Sequence, residues 1–110
     1  GHKRRVSVRD SRRERWTAAS EVFAATRLHV TAALEAEGFA VEQRHIEGEP
    51  DLLLMHGTSK HGVVSFGVRN SGTQAKTSLS MRLSRALDPR PFWAIQARVE
   101  DDLVNALTAP

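Results

Sequence analysis

The sequence predicts a single α/β domain, and three patterns lead there. An apolar stripe at helical spacing ends at Gly38, two apolar runs of strand length sit either side of a connection rich in Gly, Ser and Lys, and a further helix and strand pattern fills residues 77–99. With 110 residues the chain has room for one compact domain and a modest core. Hydrophobic content of 40% with 26% charged residues fits a globular chain, and no apolar run approaches the ~20 residues that span a bilayer. No membrane contact is expected.

Residues 1–10 mix Lys, Arg, Ser and Val without clear periodicity and read as a flexible basic arm, with residues 11–110 forming the domain. From residue 11 to 37, Trp16, Ala19, Phe23, Val30, Ala33 and Leu34 recur at helical spacing, and Gly38 supplies a helix terminator. Residues 39–46 alternate as a half-exposed strand, and Gly48-Glu49-Pro50 makes a turn. Residues 51–55 form an apolar strand, residues 57–62 a hairpin connection, and residues 63–70 the antiparallel partner. In that partner Val64, Phe66 and Val68 share one face, while Ser65, Gly67 and Arg69 share the other. Leu79, Leu83, Ala86 and Leu87 predict a short helix stopped by Asp88-Pro89-Arg90-Pro91. Residues 92–99, apolar on both faces, predict a central strand, and Asp101 is expected to cap a final short helix. The predicted order is therefore αβββαβ.

Net charge is +3, but its distribution is strongly segregated. Residues 1–15 carry +5, residues 16–64 carry −4, residues 65–98 carry +5 and residues 99–110 carry −3. Blocks of one sign on a small domain are the electrostatic footprint of a polyanion partner. The expected contacts are Arg4, Arg5, Arg12 and Arg13 from the arm, with Arg69, Lys76, Arg82 and Arg85 near the third strand. Trp16 and Trp93 fall on apolar stripes and read as core, so single-strand stacking is not expected. Of the histidines, only His56 and His61 flank one hairpin, without the ligand set a metal requires. The absence of cysteine excludes disulfides and thiolate metal sites and is compatible with a cytoplasmic location. The chain opens on Gly1-His2, so an excised piece of a larger protein is expected, with other domains of that protein as neighbours.

Pro50-Asp51 before an apolar strand, followed by the strand at residues 63–70, resembles the PD-(D/E)xK restriction-endonuclease-like superfamily, and within it the small Holliday-junction-resolvase-type nucleases. The resemblance implies a mixed central sheet flanked by helices, Mg²⁺- or Mn²⁺-dependent phosphodiester hydrolysis, DNA as substrate and a homodimer. It assigns Asp51 as first metal ligand and catalytic acid. Gly67 stands at the second acid's place and Arg69 at the catalytic lysine's. Glu14 or Glu21 matches an acid that some members contribute, and Gln74 a polar site residue. Glycine cannot ligate through a side chain, and an always-protonated guanidinium cannot transfer a proton as lysine does. The expectation is a nuclease-like, nucleic-acid-binding domain, DNA being the favoured ligand, with a degenerate site that needs no cofactor. One alternative is an active Mg²⁺-dependent endonuclease in which Glu47 or Glu49 replaces the missing acid. The other is a protein-interaction or oligomerisation module.

Overall fold

The computed structural model describes residues 2–14 and 19–108, with backbone alone for 19–21, 107 and 108. The order is β1 (His2–Arg9), α1 (Ala19–Ala36), β2 (Ala40–Ile46), β3 (Glu49–Ser59), β4 (Gly62–Asn70), β5 (Lys76–Leu83) and α2 (Pro89–Thr108). The five strands form one sheet in the order β1-β5-β4-β3-β2, with every pairing antiparallel. The fold is α/β in content as expected, but the sheet is not mixed and the order is βαββββα.

The stretch from α1 to β4 follows the sequence reading in order, but residues 11–14 are turn and bend rather than the start of the helix, and Glu49 and Pro50 open β3 rather than complete a turn. α1 buries Val22, Phe23, Val30, Ala33 and Leu34, together with Thr26, whose Oγ1 donates to the Val22 carbonyl at 2.8 Å. It ends in a Schellman motif: Gly38 takes a φ of 87°, its N–H donates to the Glu35 carbonyl, and the Phe39 N–H donates to that of Leu34. β2, β3 and β4 then form a meander with two-residue turns at Glu47-Gly48 and Lys60-His61. β3 reaches Ser59, so the connection expected over residues 57–62 is shorter than read.

Three assignments differ. Residues 2–9 are an edge strand rather than a free arm, because Val6 and Val8 pair with Leu79 and Thr77 and Val8 is buried. Residues 76–83 are β5 rather than a helix. Leu79 and Leu83 are four apart, a spacing that suits both periods, but Thr77 and Met81 are buried as well, and only a strand puts all four on one face. Residues 92–99 are helical, because Phe92, Ile95, Gln96, Val99 and Leu103 are buried at helical spacing while Trp93 and Ala94 are exposed. Pro89 and Pro91 sit in its first turn, where a missing N–H leaves no bond unmade. Asp101 is thus inside α2, not at a cap, and Trp93 is at the surface rather than in the core. Trp16 and the side chain of Glu21 lie outside the described residues.

Both helices cover the same face of the sheet. α1 lies over β2, β3 and β4, α2 lies over β1 and β5, and the helices touch each other. Phe39 and Phe92 meet edge to face with centroids 5.5 Å apart in this layer. Gln96, 1% exposed, donates through Nε2 to the carbonyls of Arg4 at 3.0 Å and Leu79 at 3.1 Å, tying β1 and β5 to α2. Among the described residues nothing covers the opposite face, and no helix is long and apolar enough to cross a membrane.

Candidate nucleic-acid interface

Strand alternation assigns the uncovered face, since positions paired with or lying between buried residues settle which side chains point away from the helices. β1 places Lys3, Arg5, Ser7 and Arg9 there, and β5 places Lys76, Ser78, Ser80 and Arg82 beside them. β4 adds Ser65, Gly67 and Arg69, β3 adds Leu52, Leu54 and His56, and β2 adds Glu42 and Arg44. Successive same-face positions on a strand stand about 6.6 Å apart. Lys3 is directly opposite Arg82, and Arg9 is opposite Lys76. Like charges facing each other across a ladder are unfavourable, so a strip built this way is relieved by an anion.

Two acids share this face, and both are already matched. Glu49 holds Arg69 at 2.7 Å, and Glu42 holds Arg44 at 3.0 Å. The side-chain hydrogen bond from Arg44 keeps the Glu42 carboxyl below the usual carboxylate range. Among the described residues no salt bridge joins Lys3, Arg5, Arg9, Lys76 or Arg82 to an acid. The surface between them is hollowed. A depression of about 330 Å³ is lined by Leu52, Leu54, Ser65, Gly67, Arg69, Ser80 and Arg82. A second, about 250 Å³, continues past Arg82 and Ser80 to Lys3 and Arg5. His56 Nδ1 lies 2.9 Å from Ser65 Oγ and fixes that hydroxyl at the rim.

Comparison with protein-family models, with curated proteins and with solved structures finds no match to this chain. The chemistry of the face therefore carries the functional reading.

The structure divides the residues expected from the sequence. Arg69, Lys76, Arg82 and Arg5 share the open face. Arg4 points the other way, with its guanidinium carbon 5.9 Å from the centroid of the Trp93 ring. Arg12 and Arg13 fold back onto Asp10, at 3.0 and 3.3 Å, and the Arg12 side-chain hydrogen bond lowers the Asp10 pKa. Arg85 is exposed in the turn after β5, Gln74 in the turn before it and Glu14 beyond β1. Lys3 and Arg9 were not singled out by sequence, although the 3-5-7-9 alternation of β1 would have found them.

Among the described residues no salt bridge joins Asp51 to Arg69. The register sets Leu52 opposite Arg69 and Leu54 opposite Gly67, while Asp51 is exposed just ahead of that paired stretch, where the β2–β3 ladder is irregular. Glu49, the acid considered as a replacement ligand, is the partner of Arg69 instead. Among the described residues no three His, Asp or Glu side chains converge on a metal-sized space. What the face offers chemically is an array of fixed cations and hydroxyl donors, suited to phosphate oxygens.

Proposed function

We propose that the chain binds double-stranded nucleic acid, with DNA the favoured ligand, by laying the open face of its sheet against the phosphate backbone. The observation that carries this reading is the group Lys3, Arg5, Arg9, Lys76 and Arg82, five cations that no acid among the described residues pairs and that share one serine-paved face left open by those residues. Arg69 joins them once it exchanges Glu49 for phosphate. Among the described residues the face bears no Phe or Trp, the platforms on which unstacked bases sit, and this favours a duplex over a single strand. Contacts of this kind position a protein on nucleic acid without reading base sequence.

Hydrolysis is not part of the proposal, because the second acid's place is Gly67 and the cation at the lysine's place, Arg69, is held by Glu49. Fluorescence anisotropy with labelled duplex and single-stranded DNA over a salt series tests the reading. About four to five neutralised phosphates give a log–log salt slope of roughly −4 for the duplex, with weaker binding of the single strand. Absence of duplex binding at low salt would refute it. An acidic protein partner is the second reading, favoured by the apolar floor at Leu52 and Leu54. It predicts that Leu54→Ser weakens partner binding more than the loss of one surface cation does.

A further inference from the structure

Among the described residues the sheet has two open edges, β1 and β2. An open edge displays unpaired N–H and C=O groups and will take up another strand unless its side chains forbid it. β1 forbids self-pairing, since Lys3, Arg4, Arg5 and Arg9 stand on it with no acid. β2 reads Ala-Val-Glu-Gln-Arg-His from Ala40 to His45, and its charges are antisymmetric about Gln43. When two copies of β2 run antiparallel about a two-fold axis at Gln43, Glu42 of each lies opposite Arg44 of the other. Val41 then lies opposite His45, and Gln43 lies opposite its own copy.

We propose that β2 is a self-pairing edge through which two copies of this chain join their sheets, with Glu42 and Arg44 as the reciprocal cross-seam ion pairs. An isologous contact demands a surface complementary to itself, and a Glu-x-Arg strand centred on an uncharged residue meets that demand. Alternation puts Glu42 and Arg44 on the open face and Val41, Gln43 and His45 on the helix face. The existing Glu42–Arg44 bridge of 3.0 Å therefore becomes half of a four-charge cluster rather than being broken. Gln43 already accepts from Arg27 of α1 at 3.2 Å, which anchors that helix above the seam. The ladder shifts register between His45 and Ile46, so the regular stretch available for pairing is short. A short seam buries little area, and the dimer is concentration-dependent.

The test is sedimentation velocity on nucleic-acid-free protein over a concentration series, with circular dichroism to confirm folding. Glu42→Arg and Arg44→Glu each set like charges across the seam and are expected to raise the dimer dissociation constant roughly tenfold or more. Mixed together, the two variants are expected to form a heterodimer, because every cross-seam pair is again opposite in sign. The double variant E42R/R44E is expected to recover self-association for the same reason. A wild-type chain that stays monomeric throughout, single variants that associate like the wild type, or a mixture that stays monomeric would overturn the proposal. The substituted positions lie outside the strip from β1 to β4 that the duplex-binding reading uses, so either proposal can fail without the other.

Discussion

Gly67 shows how one residue changes meaning once its face is known. Beside Asp51 a glycine would be a missing metal ligand. On the open face it instead lines a basic depression, where an added Cβ would approach Leu54 Cδ2 at 3.4 Å, ordinary van der Waals contact. Gly67→Glu is therefore expected to fold, to leave Mg²⁺ affinity unchanged in calorimetry, and to weaken duplex binding about tenfold by placing a carboxylate between Arg69 and Arg82. Gly57 gives the opposite case, since its Cβ would stand 3.0 Å from Val64 Cγ1 and 3.3 Å from both Leu34 and Phe39. Gly57→Ala is expected to destabilise the fold by about 1–3 kcal/mol in urea denaturation. Asp88 caps α2, accepting from the Arg90 side chain and backbone N–H, and these bonds lower its pKa from 3.8 to about 2. A carboxylate depressed on folding contributes stability above its unfolded value and loses it as pH falls toward the folded one. Asp88→Ala is expected to lower the melting temperature at neutral pH and to flatten its decline between 3.8 and about 2.

At the scale of elements, β1 is the most dependent on its neighbours. Its outer edge is open, and Gln96 holds it from α2 through the Arg4 carbonyl. Gln96→Leu removes both bonds to backbone carbonyls, partly offset because the buried Gln96 Oε1 has no partner among the described residues. The expected cost is about 1 kcal/mol, with faster hydrogen exchange in β1 than elsewhere and weaker duplex binding, since β1 carries Lys3, Arg5 and Arg9. The same dependence explains what the sequence could tell. α1, its Gly38 terminator and the β3–β4 hairpin were legible because their signals are local: a helical stripe, a left-handed glycine, alternation around a tight turn. β1 was not, because two valines among basic residues become a strand only when β5 is beside them. β5 and α2 exchanged identities because a four-residue spacing serves both periods, and because Trp93 and Ala94 lengthened the apolar run at the start of α2 although both are exposed. Arg69, Lys76 and Arg82 were legible as a basic patch. The pairing of Arg69 with Glu49 depends on the local register at the start of β3, which composition and spacing do not contain.

For the whole molecule, layering sets the functional asymmetry. Two helices on one face bury a single core and leave the other face to strands that include those of the two basic blocks of the sequence, so β1 and β5, far apart in the chain, become neighbours. The segregation of charge along the sequence thus becomes a segregation across the sheet. This predicts that the position of a charge matters more than net charge. The most direct measurement compares duplex DNA affinity for Arg82→Glu, on the open face, with that for Arg98→Glu, exposed on α2, two variants identical in net charge. Loss of tenfold or more with Arg82→Glu, and little change with Arg98→Glu at the same salt concentration, is the expected result. Equal losses would mean that binding follows net charge alone and would contradict an interface on the open face of the sheet.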